Sequence, residues 1–185
     1  DASCIWAQEP LDKTCVIFQQ ALMKRLGLIL CALSIFAGSL CAQEKGPITN
    51  LPMPRFVSLK ATEANARRGP SLSHRIDWVF KRKHMPLEIY AEYGNWRRVR
   101  DIDGAGGWVH YSLLSGVRSA IVLQDMQPMF SQPDTDSLIM ARFEKTAIAN
   151  LEKCTIDWCQ LRAGGYKGWL PKSTLWGVYG DELKE

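Results

Sequence analysis

From Phe56 onward, apolar residues recur with a period of two in short runs. Phe56 to Ala61 alternates, Leu87, Ile89 and Ala91 alternate within Leu87 to Tyr93, and Val99 sits between arginines in Trp96 to Arg100. Successive side chains of a strand point to opposite faces, so these runs predict half-buried strands. Trp78 to Lys81 and Trp108 to His110 add two more. Punctuation separates them: Asn65 to His74, centred on Gly69-Pro70, predicts a long loop, Gly94-Asn95 a hairpin turn, and Asp103 to Gly107 another turn. Ser112-Leu113-Leu114 fits one helical turn. Five short strands in about 60 residues predict a small all-β barrel.

The same plan is written twice. Trp96, Trp108 and Gly116 have counterparts in Trp158, Trp169 and Gly177, each pair 61 or 62 residues apart. A repeat of that length is a domain rather than a solenoid unit. The second copy predicts strands at 120–123, 138–143, 147–153, 158–162 and 169–170, around a proline-bearing loop from Met126 to Thr135.

The chain ahead of the repeats has a different character. Met23-Lys24-Arg25 followed by a mostly apolar run to Leu40 and a small residue at Ala42 predicts a cleavable export signal over 23–42. The run is shorter than the roughly 20 residues of a spanning helix. A lipoprotein signal ending at Cys41 is the weaker alternative, because Leu40 stands where a lipobox has a small residue. Residues 1–22 are expected to be a non-native or upstream extension. Residues 43–54, with Gly46-Pro47 and Pro52-Met53-Pro54, predict a semi-rigid tether. The expected domains are then 55–117 and 118–180, with 181–185 as a tail.

Charge is uneven between the copies. Arg55 to Arg118 holds 12 basic and 6 acidic residues, whereas Ser119 to Glu185 holds 7 and 9. The first copy is therefore suited to anionic partners, or carries a solvated basic surface. Export argues against nucleic acid. Of six cysteines only Cys154 and Cys159 lie in the repeats, and an exported pair flanking the bend Thr155-Ile156-Asp157 predicts a disulfide across a hairpin. Zinc is the rival reading, but no second Cys or His pair lies near.

Three ordered segments carry a likeness to a known family: Asn65-Ala66-Arg67-Arg68-Gly69-Pro70-Ser71, Asn95-Trp96-Arg97-Arg98-Val99-Arg100, and Gly106-Gly107-Trp108-Val109. Together they resemble the bacterial SH3-like (SH3b) domain family, in the exported tandem form common in alphaproteobacteria. The resemblance is strong over Phe56 to Gly116 and weaker over Ala120 to Tyr179. It departs in the small Ala64 and Ala66, and in the second copy, where Met129-Phe130-Ser131-Gln132-Pro133 replaces the Asn-x-Arg-x-Gly-Pro-Ser loop. The resemblance implies two SH3-like β-barrels and a binding role toward cell-wall peptide or a protein partner.

Strand parity sorts the candidate contacts. With Val99 facing the core, Arg97 shares its side, and Trp96, Arg98 and Arg100 take the other; Trp158, Gln160 and Arg162 do the same in the second copy. Trp96, Arg98, Arg67, Arg68 and Tyr93 are the expected ligand contacts, because an indole stacks and a guanidinium pairs with carboxylate. Arg67 or Arg68 is alternatively structural, paired with Glu88, Glu92 or Asp101. Trp108 and Trp169 are expected in the core, Trp78 in the core or between modules, and Trp176 to Tyr179 against a barrel. No cofactor or metal is expected: His74, His84 and His110 lack ligand spacing, and no nucleophile–base set is assembled. The expectation is a periplasmic or secreted monomer that binds peptidoglycan, with an envelope-protein adaptor as the alternative and a cell-wall hydrolase behind both.

Overall fold

The computed structural model describes residues 44–185; the expected export signal and upstream extension lie outside the described residues. Among the described residues no helix is long and apolar enough to cross a membrane. The first module comprises β1 (Arg55–Leu59), β2 (Ala64–Arg67), β3 (Ile76–Phe80), β4 (Pro86–Tyr93), β5 (Trp96–Arg100), β6 (Gly106–His110) and the two-residue β7 (Leu114–Ser115), with a 3-10 turn at Tyr111–Leu113. The second comprises β8 (Ser119–Val122), β9 (Gln127–Phe130), β10 (Ile139–Phe143), β11 (Ile148–Cys154), β12 (Trp158–Ala163), β13 (Tyr166–Pro171) and β14 (Leu175–Trp176), with a 3-10 turn at Lys172–Thr174. The two sheets have one topology: β3-β2-β6-β5-β4-β1-β7 and β10-β9-β13-β12-β11-β8-β14. Neither ladder closes on itself.

Two strands escaped the sequence pattern. Asn65-Ala66-Arg67, expected as loop, belongs to β2, and Gln127 to Phe130 forms β9. β2 must lie close to β6, and small residues permit this: Ala64 and Ala66 are buried, and a Cβ on Gly107 would stand 2.6 Å from the Arg67 carbonyl oxygen. Gly168 repeats the arrangement, 2.6 Å from the Phe130 oxygen. The alanines that depart from the family's usual Leu and Val are thus core residues.

The cores are separate. Leu59, Ala66, Phe80, Leu87, Ile89, Val99 and Val109 fill the first, and Val122, Met129, Leu151, Cys159, Leu161 and Leu170 the second. Trp108 and Trp169 are half-buried on the opposite side, a correction that follows from parity: Val109 and Leu170 point inward, so their neighbours point out. Trp78 is also exposed, on an edge strand, and neither fills a core nor joins the modules.

A bulge interrupts the alternation in each central hairpin. Ile89 pairs with Val99, yet Ala91, not Tyr90, pairs with Arg98; Leu151 pairs with Leu161, yet Lys153 pairs with Gln160. The extra residues, Tyr90 and Glu152, turn outward. Beyond the bulge parity is inverted, and Glu92 and Cys154 turn inward at the same register position, facing Arg97 and Cys159.

The modules share an interface built on Phe56. Its ring meets Trp176 at 5.1 Å and Tyr179 at 4.7 Å, with the Arg118 guanidinium 5.6 Å away. Arg118 forks onto Glu182 at 2.7 and 3.0 Å, and the Tyr179 hydroxyl donates to Glu88 at 2.9 Å. Ser119 donates to the His84 carbonyl at 2.6 Å and Arg82 to that of Thr146 at 2.8 Å. The expected tether also differs from its sequence reading: 44–54 folds back on the first module, with Met53 in the core and Ile48 and Thr49 bonded to Glu92. Its prolines fit the extended Lys45–Pro52 bridge, and Glu92 supplies an anchor that composition does not reveal.

Candidate functional site

The hairpin of β5 and β6 sets Trp96 opposite His110. The indole is half-buried and meets the imidazole edge-on at 5.5 Å. These two rings form one side of a cleft of about 320 Å³ whose other residues include Arg67, Leu72, Asn65, Glu63 and Leu113. The loop after β2 is held by Arg67 itself, whose Nη1 donates to the carbonyls of Leu72 at 3.0 Å and His74 at 2.7 Å. No ion pair engages Arg67 among the described residues, so its charge is available at the cleft while its position is set by the loop. His110 is fixed in turn through Nδ1, 2.7 Å from the Ser112 hydroxyl.

The structure divides the five expected contact residues. Trp96 and Arg67 meet in the cleft. Arg98 does not join them: it lies over the Tyr90 ring at 5.3 Å, with Arg100 over the same ring at 5.5 Å. The bulge that turns Tyr90 outward draws both guanidiniums along the sheet, away from Trp96. Arg68 pairs with Asp77 at 3.0 Å, and Arg75 completes that exposed cluster at 2.6 Å. Bonds from Arg68 and then Arg75 hold the Asp77 carboxyl below its ordinary range. Tyr93 is exposed at the hairpin end, paired in register with Trp96 but not part of the cleft. Neither Arg67 nor Arg68 pairs with Glu88, Glu92 or Asp101. Glu88 takes Arg100, Glu92 takes Arg55 and Arg97, and Asp101 accepts the amides of Asp103 and Ala105 in its own turn. Burial nevertheless raises Asp101, because those amides compensate only in part.

His110 and Leu72 were not identified from the sequence. His110 was legible in principle: counting outward from Asp103, the centre of its turn, pairs Trp96 with it. Leu72 carried no such signal, since only the fold of the loop returns it to the cleft.

The second module also has a cleft beside its tryptophan, of about 500 Å³, lined by Trp158, Pro171, Thr135, Ile156, Asp157, Lys172, Ser173, Val178 and Gly180, without Phe130, the counterpart of Arg67. Trp158 pairs in register with Pro171 as Trp96 does with His110, and it packs edge-on against Phe130 at 5.7 Å. The Lys172 ammonium is engaged by the carbonyls of Gly180 at 3.0 Å and Glu182 at 2.6 Å. Asp157 and Lys172 thus bring opposite charges to this cleft, as Glu63 and Arg67 do to the first. The expected disulfide joins Cys154 to Cys159 beneath it, at an S–S distance of 2.07 Å. Among the described residues no cluster of three His, Cys, Asp or Glu side chains is placed to hold a metal ion.

Comparison with known proteins agrees with this internal symmetry. The bacterial SH3 domain model matches the chain twice, over 60–116 and 124–177, and the chain belongs to that family. No curated protein matches it. Among solved structures it is similar to NlpC2 from Trichomonas vaginalis at 14% identity, covering 66% of this chain and 48% of that one with a TM-score of 0.31. It is also similar to NlpC1 from the same organism at 13% identity, covering 71% and 48% with a TM-score of 0.32. The chain spans about half the length of these structures.

Proposed function

We propose that this tandem bacterial SH3 protein is an exported, non-catalytic binding protein that recognises peptidoglycan or its stem peptides through the Trp96 cleft. One observation carries the reading. Trp96 is a half-buried indole facing a cleft of about 320 Å³, with an arginine free of any ion pair among the described residues at its rim. An aromatic wall accepts the apolar body of a peptide or the face of a sugar ring, and a guanidinium accepts a carboxylate, so the pair suits an acidic glycopeptide. The family's common role at the cell wall and the Cys154–Cys159 disulfide support the wall as target and the periplasm or exterior as location.

The test is co-sedimentation of the purified protein with sacculi at low and moderate salt, beside Trp96→Ala and Trp158→Ala. Saturable binding that persists at moderate salt and is lost in Trp96→Ala, with the fold intact by circular dichroism, supports the reading. Binding confined to low salt reduces it to the basic surface of the first module. Binding unchanged by Trp96→Ala removes the cleft from consideration. The protein-adaptor reading rests on a different observation: the edge strand β3 exposes Ile76 and Trp78 together, apolar surface suited to a protein partner.

A further inference from the structure

The first module holds a second cavity, across β5 from the Trp96 cleft and sharing no residue with it. Its volume is about 370 Å³, within the range of small-ligand pockets. Val57, Ile89 and Leu114 make its wall apolar, and Arg55, Arg97 and Tyr111 make it cationic and aromatic. The charge there does not balance. Arg55 Nη2 lies 2.6 Å from Glu92 Oε1 and Arg97 Nε lies 3.4 Å from the same oxygen. That oxygen also accepts the Thr49 hydroxyl at 2.7 Å, while Oε2 accepts the amides of Ile48 at 3.1 Å and Thr49 at 2.9 Å. One saturated carboxylate therefore serves two guanidiniums. Arg55 Nη1 remains buried with no hydrogen-bond partner among the described residues. The unpartnered donor marks how little of the Arg55 charge is compensated, and an excess of positive charge beside the cavity is costly; one planar anion there offsets it.

We propose that this cavity is a binding site for a carboxylate carried on a small apolar group, the carboxylate forking onto Arg55 and Arg97 and the apolar group lying against Val57, Ile89 and Leu114. A free N-acyl amino acid and the C-terminal residue of a peptide present the same chemistry. The second module offers no equivalent, because Cys154 and Cys159 occupy the register positions of Glu92 and Arg97.

The experiment is an NMR titration of the whole protein with N-acetyl-L-leucine, with its uncharged amide, and with a leucine-terminated tetrapeptide in free and amidated form. The proposal expects saturable shifts of the Ser115 and Gly116 amides and the Arg97 Nε–H with the acids, none with the amides, and an unmoved Trp96 indole. Binding by the acetylated residue but not the tetrapeptide assigns the site to free acids; binding by both admits peptide ends. Arg55→Lys keeps a cation for Glu92 but loses the fork, and is expected to weaken binding about ten-fold or more, the value of a charge-assisted hydrogen bond. Gly116→Leu is the control that does not touch the ion pair. Gly116 lines the cavity and a Cβ there meets nothing within 4 Å, so a leucine is expected to be tolerated by the fold and to abolish the Ser115 and Arg97 shifts. Equal shifts with acid and amide, shifts at Trp96 instead, or no shifts at all would overturn the proposal.

Discussion

The two modules share strand order and bulge position, yet they secure the end of the central hairpin by different chemistry. Where the first has Glu92 facing Arg97, the second has Cys154 bonded to Cys159. In the first, the polar pair recruits chain from outside the hairpin: segment 44–54 supplies Thr49 and Ile48 to Glu92, and β1 supplies Arg55. In the second, the segment around Lys184 pairs with the bridged strand, Cys154 N–H donating to the Lys184 carbonyl at 2.8 Å and Lys184 N–H returning the bond at 3.1 Å. The outward bulge residue follows the same logic. Tyr90 offers its ring face to Arg98 and Arg100, whereas Glu152 offers its carboxylate to Arg162 at 2.5 Å and Lys167 at 2.6 Å. The fold thus demands an inward tie and an outward cation acceptor at fixed positions, and leaves their chemistry free.

The largest test of that equivalence is Glu92→Ala. It strands Arg55 and Arg97 in the interior and releases the lead-in segment, and a denaturant melt is expected to show a loss of about 3–5 kcal/mol. Unchanged stability would mean that the polar tie is dispensable and the comparison with the disulfide is empty.

Acid titration reads the same tie by linkage. Burial raises the Glu92 carboxyl, but the Thr49 hydroxyl and Arg55, followed by the amides of Thr49 and Ile48, more than compensate and hold it at about 2 against an ordinary 4.5. A folded value below the unfolded one gives stability that is whole above the unfolded value and drains as pH falls toward the folded one. The protein should therefore lose about 3 kcal/mol between about pH 5 and pH 2. Glu92→Gln should flatten most of that slope. Bonds from Arg162 and Lys167 hold the exposed Glu152 at about 2 as well, but solvent screening leaves it little weight in that slope. A slope identical in wild type and Glu92→Gln would contradict the assignment.

Replacing both Cys154 and Cys159 by Ser should cost about 2 kcal/mol, the chain-entropy value for so short a loop. Hydrogen exchange should locate the loss at the Cys154–Lys184 pairing rather than in the first module. The reverse exchange is sharper still. Glu92→Cys combined with Arg97→Cys should form a bridge in the first module, at the register the second already uses, while the Ile48 and Thr49 amides lose protection. The smallest expected effect is at the bulges. Tyr90→Ala should cost about 0.5–1 kcal/mol, and Glu152→Gln should matter only at low salt, where exposed ion pairs are least screened.

Much of this architecture was open to a reader of the chain. Period-two alternation located β1, β4, β5 and β6 and their counterparts, and parity set Arg97 and Val99, or Cys159 and Leu161, on the inner side. The disulfide was expected from the Cys-x4-Cys spacing, which places its flanks across a hairpin, together with the expectation of an oxidising compartment. Alternation failed where one extra residue inverted it, so Glu92 read as an outward charge. Trp108 and Trp169 were a different failure: the glycine turns before them suggested close approach and burial, whereas alternation from the buried Val109 and Leu170 places both outward.

What the sequence determined by itself is local: strand positions, the repeat, the face each side chain takes between bulges, and the pairing of two nearby cysteines. These depend on backbone geometry within one hairpin, which residue type and spacing control directly. The tertiary structure alone decided the rest. It brought Leu72 back to Trp96, docked 44–54 on Glu92, set Trp176 and Tyr179 against Phe56, and left two guanidiniums around one carboxylate beside an open cavity. Each of these joins segments distant in the chain, and such contacts depend on packing that no local pattern encodes.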